Sequence, residues 1–184
     1  MTEPIPSLDE LADRINSIAR LTGTFTLRSG QTATEYFDKY RFEAAPALLA
    51  DIAVALEPLV PAGTEVLAGL EMGGIPIATA LSLRTGIPAA FVRKEAKKYG
   101  TARLAEGADV DGKVVTVVED VITTGGQVVL STNDLRALGA KVSDVICVID
   151  RSPDGGAALT AVGLAMHALL TRAQLDAAEG RRTD

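Results

Sequence analysis

The sequence has one cysteine and one histidine in 184 residues, and its acidic side chains outnumber its basic ones by six. A single thiol cannot close an intrachain disulfide, and Cys147, set in the apolar run VICVID, reads as a small buried hydrophobe. His167, in LAMHALL, falls in a late apolar strand and reads as structural. A net charge of -6 argues against a general surface for nucleic acid or an anionic membrane. No apolar run approaches the roughly 18 to 20 residues of a membrane-spanning helix. The N-terminus, MTEPIPSLDE, lacks a basic flank followed by an apolar core. The expectation is a cytoplasmic protein with no membrane and no nucleic-acid partner. Internal repeats and low-complexity linkers are absent. So are GxxxxGK[ST] and GxGxxG, which weakens nucleoside-triphosphate and dinucleotide readings.

What the chain does have is 47% hydrophobic residues, enough to bury a core without a staple, and one domain over 1–184 is expected. Ser7 followed by Glu10 has the capping-box spacing, and Leu8, Leu11, Ile15 and Ile18 predict an amphipathic helix running to a stop at Gly23. Phe25–Leu27 and Glu35–Phe42 read as short strands, and Ala47–Leu59 as a helix ended by its prolines. Strands are then expected at Val66–Leu70, Ala89–Arg93, Val114–Val118, Val142–Asp150 and Leu164–Leu170. Helices are expected at Ile75–Thr85 and Gln127–Leu138. Apolar strands alternating with helices imply an α/β fold, a central parallel sheet flanked by helices. The tail over 176–184 is expected to fray.

In such a sheet ligands bind outside the carboxyl ends of the strands. Four chemically loaded stretches fall there: EMGG, the basic segment FVRKEAKKYGTAR, EDVITTGG and DRSPDGG. The basic segment gathers five of the 18 Lys and Arg residues of an acidic protein. In TTGGQ, glycines let successive N–H groups converge, hydroxyls add donors, and the following helix offers its positive end. That arrangement suits a monophosphate. Glu119 and Asp120 would repel phosphate but can accept hydrogen bonds from the vicinal hydroxyls of a ribose. The plain alternatives are an ordinary strand-to-helix turn with an acidic start, a solvated basic hairpin, and a structural Gly-Gly turn in EMGGIP.

VVTVVEDVITTGG resembles the phosphoribosyl-diphosphate motif of the type I phosphoribosyltransferases. VRKEAKKYG is similar to the RKExKxHG catalytic loop of the orotate phosphoribosyltransferases, and FTLRSG with YFDKYRFE resembles that family's N-terminal segment. The matches span about Phe25 to Arg151. The resemblance implies the type I fold with a small N-terminal hood region over 1–45. It implies transfer of the 5-phosphoribosyl group from phosphoribosyl diphosphate (PRPP) to orotate, giving orotidine 5-phosphate and diphosphate in de novo UMP synthesis.

Catalytic roles carried over fall on Lys97, Arg93, Lys94 and Asp120. PRPP binding falls on Glu119, Asp120, Val121, Ile122, Thr123, Thr124, Gly125, Gly126 and Gln127. The loop residues Arg93, Lys94, Lys97 and Tyr99 join them, as do Gly73 and Gly74 of the diphosphate loop Gly69 to Gly74. Orotate binding falls on Arg28, Thr123 and Arg151. Arg28 stands where the family has lysine, and Tyr99 where it has histidine. Mg²⁺ is implied as a cofactor bound mainly through PRPP, without direct side-chain ligands, and a homodimer whose catalytic loop is shared between subunits is the implied assembly. A phosphoribosyltransferase for another base, or a PRPP-sensing regulatory protein of the same fold, are the alternatives. The second would need a winged-helix segment or a second basic face, and neither is visible.

Overall fold

A computed structural model describes residues 6–26, 30–95 and 104–183, with the side chains of 181–183 outside the description. The chain opens on α1 (Leu8–Ala19), started by the capping box that the sequence shows. Ser7 Oγ accepts from the N–H of Glu10, whose carboxylate accepts from the Ser7 N–H at 2.9 Å. The helix ends four residues before Gly23, because Arg20 turns extended and begins β1 (Arg20–Thr26). β1 pairs antiparallel with β2 (Thr32–Phe37) in a two-stranded sheet of its own. The strand expected to run on to Phe42 stops at Phe37. Asp38 then starts a short helix, α2 (Lys39–Glu43), followed by α3 (Pro46–Leu56) and a single 3-10 turn at Glu57–Leu59.

The main sheet is built from β3 (Val66–Leu70), β4 (Ala89–Val92), β5 (Ala105–Gly107), β6 (Val114–Ile122), β7 (Lys141–Asp150) and β8 (Ala165–Thr171). Their order is β5-β4-β3-β6-β7-β8, all parallel except β5, which lies antiparallel on β4 at one edge. β5 was not expected: three residues, Ala-Glu-Gly, carry no strand pattern, and only pairing with β4 extends them. The remaining helices are α4 (Gly74–Thr85), α5 (Gly126–Ala137), α6 (Ala157–Thr160) and α7 (Arg172–Thr183). The tail expected to fray is thus helical through Thr183, with Leu175 and Ala178 buried against α1.

Helices cover both sheet faces, so both faces of the central strands are apolar. Leu11, Ile15, Ile52 and Ile77 pack with Val118 and Ile146 on one side, while Val128, Leu135 and Leu159 pack with Val117, Val145 and Cys147 on the other. Truncating such a buried leucine or isoleucine to alanine costs about 2 to 5 kcal/mol. This sandwich fixes the position of one sheet edge. From β3 the chain crosses to β4 on one side, and from β6 it crosses to β7 on the other. The neighbouring carboxyl ends of β3 and β6 therefore form the switch point where an open α/β sheet leaves a crevice.

Candidate active site

A cavity of about 450 Å³ occupies that crevice. Its floor is the end of β6, with Glu119, Val121 and Ile122, and one wall is the turn Thr123-Thr124-Gly125-Gly126-Gln127 leading into α5. Gly125 has φ 72°, a left-handed conformation that favours glycine, and a Cβ there would also press on the Leu159 side chain at 3.0 Å. α5 has no side-chain cap at its start. Its first-turn N–H groups, which have no intrahelical acceptor, therefore remain available to an anion beside the exposed Thr123 and Thr124. The opposite wall is the β3–α4 loop, Glu71 and Met72, together with Lys94 after β4, whose N–H donates to Glu71 Oε1 at 2.5 Å. Lys39 and Tyr40 of α2 close the third side.

The acidic pair lies inside β6 rather than in the turn after it, because the strand runs four residues beyond the expected end. Neighbouring strand residues diverge. Glu119 lines the cavity, whereas Asp120 is 0% exposed and lies beneath it. Lys39 Nζ sits 2.6 Å from Asp120 Oδ2, and the N–H of Val121 donates to Asp120 Oδ1 at 2.6 Å. Behind the same carboxylate lies Gly73: a Cβ on it would be 1.7 Å from Asp120 Oδ2 and 2.8 Å from Glu43 Oε1. Gly73 has an ordinary helical backbone, so its small size rather than its φ is what the site uses.

Three carboxyls and one ammonium thus share a small volume. Burial, reinforced by Asp120, raises Glu43 and Glu119 well above the usual carboxylate range, to about 9 each. For Asp120, burial opposes ionisation, but hydrogen bonding to Glu119, Glu43 and Lys39, with the Lys39 charge, holds the carboxyl below its usual range. Burial also works against the charge on Lys39, and Asp120 outweighs it, leaving the ammonium raised.

Arg151 is not in this cavity. It lines a neighbouring one of about 170 Å³ beneath the β1–β2 hairpin, with Tyr36, Phe37, Arg20 and Arg172. The pair Thr123 and Arg151 is therefore split between two adjacent recesses, although Arg151 N–H donates to Ile122 O at 2.8 Å and ties them together. Its guanidinium lies over the Phe37 ring, 5.3 Å from the centroid. Asp176 engages both Arg20 and Arg172, and Glu35 faces Arg20 at 3.8 Å, so the carboxylates lining this cavity are drawn to the other two arginines. Burial, with the charges of Arg172 and Arg20, lowers the Arg151 pKa against the opposing pull of Asp176.

Of the loop cations, Lys94 reaches the main cavity, while Arg93 lines a separate recess with Glu71, Phe91 and Glu106. Arg28, Lys97 and Tyr99 lie outside the described residues. Gly74 is buried with Gly73, and a Cβ on it would be 2.2 Å from Val118 O, so the start of α4 packs directly on β6. The residues that sequence reasoning missed are Lys39, Glu43 and Phe37. Phe37 and Lys39 lie in the stretch Glu35–Phe42 read as one continuous strand, and Glu43 directly follows it, which hid the turn that brings α2 over the cavity.

Fold and site together define a phosphoribosyltransferase: the family described as phosphoribosyl transferase domain matches residues 41–158, more than half of the chain, and the chain belongs to it. Within the family the similarity is to orotate phosphoribosyltransferases. The chain is 60% identical over 168 residues to the orotate phosphoribosyltransferase of Nocardioides sp., covering 91% of this chain and 94% of that one. It is 42% identical over 153 residues to that of Methanocella arvoryzae, covering 83% and 87%. Among solved structures, Mycobacterium tuberculosis orotate phosphoribosyltransferase in complex with PRPP superposes with a TM-score of 0.80 at 31% identity, covering 93% of this chain and 99% of that one.

Proposed function

We propose that this site transfers the 5-phosphoribosyl group of PRPP to orotate, releasing diphosphate and forming orotidine 5-phosphate. The observation that carries the reading is the main cavity itself. It joins an uncapped helix start, a glycine turn with two hydroxyls, a carboxyl pair at a strand end, and two lysines at the switch point of one sheet. A 5-phosphate suits the Thr123–Gln127 turn, and the ribose hydroxyls suit Glu119, with Asp120 acting from beneath. The diphosphate then extends toward Lys94 and the Gly73–Gly74 loop. Orotate carries a carboxylate, and Arg151 with the Phe37 ring supplies a cation and an aromatic face next door.

In the reaction the bond from the anomeric carbon to the diphosphate oxygen breaks, and the electron pair leaves with diphosphate. A ring nitrogen of orotate supplies the pair for the new bond and gives up its proton, which the departing diphosphate or solvent takes. Positive charge on the ribose ring is transient, and the developing negative charge on diphosphate needs preorganised donors in a water-poor site. Lys94 and the backbone N–H groups provide these among the described residues. By family resemblance Arg93, Lys97 and Tyr99 belong to the same loop, and Arg28 to the orotate end. Mg²⁺ suits the site as an ion carried in by PRPP, because hard oxygen ligands and several retained waters satisfy it without a protein cage. Among the described residues no group of three or more His, Cys, Asp or Glu is disposed as such a cage. When bound, it neutralises phosphate charge.

The reading extends to a single domain over 1–184 with a hood formed by 1–45, working in the cytoplasm as a homodimer that shares its loop between subunits. Among the described residues no helix is long and apolar enough to cross a membrane. The test is PRPP-dependent base consumption with orotate, uracil, adenine and hypoxanthine offered separately. Turnover of orotate alone is expected. Preferred consumption of another base would overturn the choice of acceptor, and none with any base would overturn the enzymatic reading.

A further inference from the structure

The main cavity has a feature that no substrate contact requires. Beneath its floor, Lys39 of α2 inserts its ammonium against a carboxylate that is wholly buried, Asp120, at 2.6 Å. A second carboxyl of α2, Glu43, comes in from the other side and is 7% exposed. Lys39 and Glu43 are four residues apart, which on a helix places both side chains on one face. Asp120 Oδ2 and Glu43 Oε1 both crowd the point where a Gly73 side chain would begin; Oδ2 has the Lys39 ammonium beside it, whereas Glu43 Oε1 is buried without a well-aligned donor. A proton held between the two carboxyls satisfies both oxygens.

The neighbours complete the account. α2 contributes Lys39 and Glu43, with Tyr40 and the preceding Asp38 close enough to act on them. β6 contributes Glu119, whose Oε1 also accepts from the Asp120 N–H at 3.0 Å. β7 brings the Cys147 thiol within electrostatic reach of Glu119 and Asp120. A buried carboxylate among carboxyls would take up a proton; one ammonium decides which of them stays charged.

We propose that Lys39 is a positioning residue for ribose recognition: its ammonium fixes the charge and the aim of Asp120 beneath Glu119, with Glu43 as the protonated third member. The inference rests on the PRPP reading of the cavity. Lys39 lines that cavity and is about one-third exposed, so it sits between the pocket and the buried carboxylate. Removing its charge leaves three carboxyls to share the floor with no cation. Asp120 then protonates nearer neutrality and no longer orders the acceptors above it.

The experiment is PRPP affinity, with Mg²⁺ and without any base, measured by calorimetry from pH 5 to 10. Lys39→Met should weaken binding at pH 7 by about ten- to a hundredfold, the range of a charge-assisted hydrogen bond. Its acid limb should move up by about one pH unit or more. Lys39→Arg should restore most of the limb, which lost packing alone would not do. Glu43→Gln, which mimics the protonated carboxyl and does not depend on a folded Lys39 variant, should move the alkaline limb upward. An acid limb unmoved by Lys39→Met overturns the inference. If that variant does not fold, an alkaline limb unmoved by Glu43→Gln does so. Failure of the unmodified chain to bind PRPP at all would instead sink the reading of the cavity.

Discussion

Gly73→Ala is the sharpest perturbation that the site offers, because one methyl group strikes the buried charge cluster and nothing else of consequence. The added carbon would start 1.7 Å from Asp120 Oδ2 and 2.4 Å from its Cγ, roughly half the separation of an ordinary contact. Asp120 has a short side chain, so it can only rotate away as a unit. Rotation separates it from Lys39 and from the Val121 N–H, both at 2.6 Å. Breaking a buried ion pair in this way costs about 3 to 5 kcal/mol. At the lower figure, and at about 2 to 4 °C per kcal/mol for a chain of this size, the melting temperature should fall by about 6 to 12 °C. Because Gly73 has helical dihedrals, no relief of backbone strain offsets the loss. Calorimetric melting of both proteins, paired with the KM for PRPP, is the assay. A normal melting temperature together with a normal KM would show that Asp120 is not locked between Lys39 and Gly73, and the cluster argument would fail with it.

Arg151→Ala should raise the KM for orotate much more than the KM for PRPP, since its recess adjoins the main cavity without opening into the phosphate wall; equal effects would count against a base-specific role. Cys147 is 0% exposed and burial pushes its thiol up, so Ellman-type labelling of the native protein should be negligible and become stoichiometric only in denaturant. Rapid native labelling would contradict the buried strand. Glu43 has a folded pKa raised from 4.5 to about 9, so its contribution to stability is complete below the unfolded value and is lost as pH rises through the folded one. Glu43→Gln removes that dependence. Its melting temperature should therefore gain on the unmodified chain between pH 6 and 9, and parallel curves would show that Glu43 does not hold a proton.

The parts of the fold that could be read from sequence are those where local pattern and tertiary packing agree. β3 matches its expected span, Val66–Leu70, because five apolar residues between a turn and a glycine loop have no competing use. The capping box at Ser7 is a contact within one turn of chain, so spacing alone reveals it. β6 ran past its expected end because charged residues ordinarily mark a boundary. Here Glu119 and Asp120 stay in the strand, paired alongside β7, and are held there by partners remote in sequence. α7 was hidden for a related reason: its sequence is polar, and Leu175 and Ala178 become meaningful only against α1.

The same logic separates the legible from the illegible side of the cavity. Phosphate-binding turns are made of consecutive residues, so TTGGQ announces itself in one dimension. The carboxyl cluster is made of Lys39, Glu43, Gly73, Glu119 and Asp120, drawn from three elements, and nothing in sequence ties Lys39 and Glu43 to the acidic pair. Reading Glu35–Phe42 as one strand left Lys39 with no part in the site. The break at Asp38 changes that, since α2 turns both Lys39 and Glu43 inward beneath the site. An acidic pair at a strand end is therefore an incomplete description of the ribose subsite. Two buried carboxylates side by side would repel, and the chain must supply either a proton or a cation. It supplies both, from α2, a helix of five residues whose sequence shows no sign of what lies under it.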